Sequence, residues 1–194
     1  MGKDSTRDRM VRAAQRLFRD QGYDGTGFRD VVEAAGTTHG VIYHHFPGGK
    51  TELGEAVAVA VGDRMATGVE AICAAMNPKD AVTGLLGIVE QNLLVGELRP
   101  GCPILALAFA ADDPDGRLRA ASDSFFTRIR TALRECLVRD SVDRADAEAF
   151  AALALSACEG ALILSRARRD TEPFTAMQTA LLQQVDQLTG KERP

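Results

Sequence analysis

The chain has 194 residues, 45% of them hydrophobic and 26% charged, with a formal net charge of −4, an ordinary globular balance that excludes disordered, collagen-like and disulfide-scaffold chains. Ala (30) and Leu (19) far outnumber Ile (6), Tyr (2) and Trp (0), which favours helix over sheet. Charge is uneven: residues 1–50 carry eight Lys and Arg against six Asp and Glu, and residues 51–194 carry fifteen against twenty-one, so a basic N-terminal quarter precedes an acidic remainder.

Ser5 followed by Asp8 resembles a capping box and opens a run in which Met10, Ala13, Ala14, Leu17 and Phe18 recur at helical spacing. The first helix is expected from Thr6 to Gln21, ended by Gly22. Five arginines (Arg7, Arg9, Arg12, Arg16 and Arg19) fall on it, either as a local attraction for a polyanion or as a solvated face. Thr26 can cap a second helix built on Phe28, Val31, Val32 and Ala35 and stopped by Gly36. Thr37 or Thr38 can cap a third, with Ile42 and Phe46 inward and Pro47, Gly48 and Gly49 ending it. Two short helices around a glycine form a helix-turn-helix signature.

A fourth helix is expected from Lys50 to about Met76, where Leu53, Val57, Val61, Met65, Val69 and Ile72 repeat at intervals of three and four. Further helices are expected at about 79–97, 103–111, 115–139, 144–169 and 172–189, with breaks near Arg99–Pro103, Asp112–Gly116, Asp140–Arg144 and Asp170–Pro173. No stretch alternates like a strand. The fold class is therefore all-α, with about nine helices. The longest uninterrupted apolar run, Ile104 to Ala111, is far short of the ~18 residues a membrane span needs, and the opening residues lack the apolar core of a secretory signal. A cytoplasmic protein without a membrane partner is expected.

Several chemistries fail on spacing. Gly49-Lys50-Thr51 resembles the end of a phosphate-binding loop, but position 44, where that loop needs glycine, is His. Gly22, Gly25 and Gly27 do not have the order of a dinucleotide fingerprint. His39, His44 and His45 are the only histidines and do not form a metal pair on one helix face. Cys73, Cys102, Cys136 and Cys158 lie far apart in sequence and are expected to act as small buried apolar residues. No metal, cofactor or catalytic nucleophile is expected. With Ile42 and Phe46 inward, the third helix turns Thr38, His39, Val41, Tyr43 and His44 outward, a surface suited to hydrogen bonding in a DNA groove. Gly40 within it either allows close approach to DNA or relieves crowding against the first helix.

Leu17-Phe18, Gly22-Tyr23, Thr26, Val31 to Gly36, and Gly40-Val41-Ile42-Tyr43-His44-His45-Phe46 with Lys50 and Leu53 together resemble the TetR family of bacterial transcriptional regulators. Pro47-Gly48-Gly49-Lys50 and Gly101-Cys102-Pro103 are similar to its LmrA/YxaF-like branch. The resemblance implies a helix-turn-helix DNA-binding domain over residues 1–50 and a helical effector-binding and dimerisation domain over 51–194. It implies a homodimer on a palindromic double-stranded operator, most simply a repressor released by a small effector. By position, Thr38, His39, Gly40, Val41, Tyr43 and His44 become DNA-contacting and Lys50 meets a phosphate. Thr26 and Gly27 would offer backbone N–H groups to another phosphate. Thr37 and His39 depart from the usual apolar and basic residues of the family.

In the body, Met65, Ile72, Leu86, Cys102, Leu105, Phe109, Phe125, Phe126 and Ile129 are candidate lining for a neutral, flat or apolar effector; Phe125 and Phe126 cannot both face one way on a helix. Ala147, Ala151, Ala154, Ala157 and Ala161, with Phe174, Met177, Leu181, Leu182, Val185 and Leu188, are candidates for the dimer interface. The alternatives are a helical small-molecule carrier or an enzyme without DNA binding, or an activator with the same fold.

Overall fold

Ser5 caps the first helix, its Oγ accepting from the Asp8 amide at 3.1 Å, and α1 runs Thr6–Gln21. Gly22 takes a left-handed φ of 80° and donates its amide to the Phe18 carbonyl, a conformation cheap only for glycine. Then follow α2 (Phe28–Ala34), α3 (His39–His45), α4 (Gly49–Val57), a π-helical turn at Ala58–Gly62, α5 (Asp63–Ala75), α6 (Pro78–Val95), α7 (Pro103–Ala108), α8 (Arg117–Arg139), α9 (Arg144–Arg168) and α10 (Glu172–Thr189). This computed structural model describes residues 5–95, 101–111 and 113–190, and no strand occurs among them. The expected interruption at Arg99 and Pro100, the end of the 79–97 helix and Asp112 lie outside the described residues.

The helix boundaries follow local chemistry. Asp113 caps α8 with its carboxylate, which accepts from the Leu118 and Arg119 amides at 3.1 Å each. Asp143 does the same for α9, and the Cys102 sulfur accepts from the Leu105 amide at the start of α7. One expectation needs correction: Thr26 does not cap α2. Its hydroxyl donates to the Gly22 carbonyl at 2.7 Å, and Gly27 stands at the cap position.

The expected single helix from Lys50 to Met76 is interrupted by the π turn. Eight α-helical residues turned ~100° each would leave Gly54 and Gly62 about 80° apart around the axis; the wider turn winds less per residue and brings both onto one face. A Cβ on Gly54 would lie 2.7 Å from Leu118 Cδ2 and 3.5 Å from Leu107 Cδ2, and one on Gly62 would lie 3.5 Å from Phe125 Cδ2. Both glycines therefore seat the same segment, α7 and the start of α8.

Packing divides the chain into two compact units, Met1–Met65 with Gly101–Phe125, and Ala66–Pro100 with Phe126–Pro194. This structural cut differs from the functional one expected near residue 50. In the first unit α1 packs on α2, α4 and α7 around fully buried Met10, Phe18, Ile42, Phe46, Leu53 and Leu107. In the second, α10 packs on α9 and α6 around Leu93, Phe150, Phe174 and Val185.

Candidate nucleic-acid interface

The turn between α2 and α3 is set by Gly36, at φ 61°, and by the Thr37 amide, which donates to the Val32 carbonyl at 3.1 Å. Val31, Val32, Ile42 and Phe46 are buried beneath the two helices, as the spacing predicts, so α3 has a fixed seat and one free side. That side presents Thr38, His39, Gly40, Tyr43 and His44 to solvent, with Val41 half-buried at its border. A Cβ at Gly40 would meet nothing within 4 Å, so crowding against α1 does not account for this glycine.

Tyr43, 61% exposed, is steadied at one edge by Phe28, whose ring stands nearly perpendicular to it with centroids 5.5 Å apart. The spacing alone places Phe28 on the apolar side of the second helix. Its half-exposure and its aromatic partner place it at the margin of the presented face instead. The signal available was a bulky ring at the first residue of a short helix.

Lys50 sits half-buried at the start of α4, its ammonium 4.3 Å from the centroid of Tyr23, which in turn packs on Phe18 at 5.2 Å. The ring faces hold the cation at the edge of the head. The Thr26 and Gly27 amides, expected to meet a phosphate, are engaged within the chain. The Thr26 amide donates to the Tyr23 carbonyl at 3.1 Å, the Gly27 amide donates to the Asp30 carboxylate at 2.7 Å, and the Thr26 side chain is buried. These two residues build the turn into α2. Part of the arginine row on α1 is also structural: Arg9 Nε donates to the Ala35 carbonyl at 3.2 Å, and the Arg7 guanidinium lies 5.1 Å from the Phe46 ring.

The nine candidate effector residues are distributed rather than gathered. Leu86, Phe125 and Ile129 are buried; Ile72, Cys102, Leu105 and Phe126 are half-buried; Met65 and Phe109 are exposed, Phe109 at 73%. Exposure removes Met65 and Phe109 from any enclosed lining within their unit. Phe125 and Phe126 diverge as the helical geometry requires, Phe125 packing at Gly62. The interface alanines need the same revision. Ala147, Ala151, Ala154 and Ala161 are buried within the chain, as are Phe174, Leu181 and Val185, so none of them is available to a partner.

A short, rigidly seated helix with one polar, uncrowded side, preceded by a glycine turn and a packed support helix, defines a helix-turn-helix DNA-binding regulator. Residues 10–57 match the family model for bacterial regulatory proteins of the tetR family, and residues 78–180 match the C-terminal domain of LmrA/YxaF-like transcriptional regulators. The HTH-type transcriptional regulator Rv0196 of Mycobacterium tuberculosis is 34% identical over 181 residues, covering 90% of this chain and 91% of its own. The HTH-type transcriptional regulator LmrA of Bacillus subtilis is 25% identical, covering 93% and 97%. A solved TetR regulator from Legionella pneumophila shares the fold at a TM-score of 0.82 and 23% identity, covering 94% of this chain and 98% of that one. The chain belongs to the TetR family of bacterial transcriptional regulators, with a C-terminal domain of the LmrA/YxaF-like type. That family consists of regulators, which is the reading the sequence favoured over a carrier or an enzyme.

Proposed function

We propose that the protein is a cytoplasmic homodimeric repressor that binds a palindromic operator through α3 and is released by a small apolar or aromatic effector. The uncrowded outer side of α3 carries the reading. Thr38, His39, Gly40, Val41, Tyr43 and His44 face the major groove, and Lys50 meets a phosphate at its rim. The division of labour is a DNA-binding head of residues 1–50 and an effector-binding, dimerising body of residues 51–194.

Dimerisation is supported by α9. Among the described residues it is the one helix long and apolar enough to cross a membrane by length and composition alone, yet 28% of its most apolar window is buried within the chain. Leu153, Ile163 and Leu164 are about half exposed, and a Cβ at Gly160 would meet open space. Leu153, Ala157, Gly160 and Leu164 follow one helical stripe, and a second copy laid along it covers that surface. For the effector, Ile72 and Phe126 of the second unit remain candidate contacts, since each is half-buried and apolar.

Selection of bound genomic fragments followed by footprinting tests the reading. The expected result is a two-fold symmetric footprint whose affinity falls steeply with salt. Retention of no fragment at low salt would overturn it, and transcription rising with the bound protein would replace repression with activation.

A further inference from the structure

The C-terminal turns of α5 and α8 bring together two thiols and a guanidinium that DNA binding does not use. Cys73 on α5 and Cys136 on α8 are each 2% exposed. Arg139 Nη2 donates to the Cys73 carbonyl at 2.6 Å and to the Met76 carbonyl at 2.8 Å, and it lies 3.6 Å from Cys136 Sγ. Cys136 Sγ is 3.7 Å from the same Met76 carbonyl, one turn beyond Cys73 on the same face of the chain. Arg139 thus ties the Cys136 thiol to the backbone of the turn that carries Cys73, and both thiols are buried there. We propose that Cys73 and Cys136 form a dithiol site for hydroperoxides, at which oxidation joins α5 to α8 through a disulfide.

The electrostatics assign the roles. The hydrogen bond from Cys73 pulls the Cys136 thiol down to about 7 against the opposing effect of burial, and Arg139 adds to the fall. The same hydrogen bond and burial push Cys73 up. The Asp140 carboxylate opposes the fall, so near neutral pH Cys136 is the more ionised of the two thiols and Cys73 keeps its proton, the arrangement of an attacking and a resolving thiol. The other two cysteines lack it: burial, with Glu159, pushes Cys158 up to about 12, and the Cys102 sulfur accepts the Leu105 amide. Access runs through the end of α5, where Ala74, Ala75, Met76 and Asn77 are exposed beside the pair; opening of a terminal turn admits a molecule little larger than water.

The reaction balances on these groups. The Cys136 thiolate attacks a peroxide oxygen; an S–O bond forms, the O–O bond breaks, and the departing hydroxide or alkoxide takes the Cys73 proton. The Cys73 thiolate then attacks the sulfenic sulfur, the S–S bond forms, the S–O bond breaks, and hydroxide leaves to be protonated by solvent. The two sulfurs lose two electrons and the peroxide is reduced to two waters, or to water and an alcohol. A dithiol reductant reverses the oxidation by exchange.

The test treats the purified full chain with stoichiometric hydrogen peroxide, quenches it in denaturant with excess alkylating agent, and maps the peptides. The expected result is loss of two of the four thiols, a Cys73–Cys136 cross-linked peptide that dithiothreitol abolishes, and an oxidation rate that rises with pH through a midpoint near 7. Cys73→Ser should leave Cys136 as a sulfenic acid trapped by dimedone, and Cys136→Ser should leave Cys73 unreacted. Should either variant fail to fold, the peptide map and pH profile of the unaltered chain decide. Four alkylated cysteines after peroxide, or a cross-link through Cys102 or Cys158, would overturn the proposal.

Discussion

At position 40 of α3 a methyl group would meet nothing within 4 Å, yet glycine in a helix costs up to about 1 kcal/mol relative to alanine. Gly40→Ala is therefore expected to raise the thermal stability of the DNA-free protein slightly while weakening operator binding at least tenfold, because the methyl intrudes where backbone and DNA meet. Unfolding midpoints and fluorescence anisotropy on one preparation check both; a stabilised variant with unchanged affinity would remove Gly40 from the interface. Lys50 makes a different expectation. It is held over Tyr23, and if it meets a phosphate as proposed, Lys50→Ala should weaken operator and random DNA alike and flatten the log-log salt dependence by about one unit per protomer. A loss confined to the operator would instead make Lys50 a reader of sequence. Thr26 shows what residue type alone does not reveal. A threonine before a helix suits a cap, but its hydroxyl reaches back to Gly22 and the cap position passes to Gly27, where Asp30 satisfies the amide.

Elements were legible in the sequence to the degree that their periodicity was local. Gly22, Gly36 and Asp143 mark helix ends through their own conformations and hydrogen bonds, and the spacing of Ile42 and Phe46 gives the buried side of α3. The π turn was not legible, because its cause is a contact with residues more than fifty positions away: Gly54 and Gly62 must both face the segment holding Leu107, Leu118 and Phe125. Removing one residue there leaves seven α-helical steps between the glycines, about 20° from alignment. Deleting exposed Ala60 is accordingly expected to yield a regular helix with a melting temperature within a few degrees of the parent. Deleting Ala71 rotates everything after it in α5 by ~100° and should lose far more. Equal losses would show that the turn has no compensating role. The alanine stripe of α9 misled for a related reason, since small residues permit close approach both within a chain and between chains, and here α9 receives α10. The surface left for a partner is Leu153 to Leu164, so Leu164→Glu should shift the sedimenting species from dimer to monomer at micromolar concentration with little change in helicity. A persistent dimer would place the interface elsewhere.

For a homodimeric, effector-released repressor of the kind proposed, dimerisation and release are one linked equilibrium. In the proposed dimer, two heads on a two-fold axis would read half-sites about one or more DNA turns apart, the second head binding at an effective concentration set by the body. A compound that lowers operator affinity by some factor must bind the operator-bound dimer less tightly than the free dimer by that same factor. Phe126 is where this can be measured. It is half-buried beside fully packed Phe125, at the first residue of α8 belonging to the second unit, so truncating it exposes little core. A panel of neutral aromatic compounds, ranked by thermal shift, should contain members that release operator. Their calorimetric affinities with and without operator should differ by the factor seen in DNA binding. Phe126→Ala should keep operator affinity and the melting temperature near those of the parent, while requiring at least tenfold more compound for release. If the variant releases operator at the parental concentration, Phe126 does not touch the ligand, and Ile72, in the same unit, becomes the next position to vary.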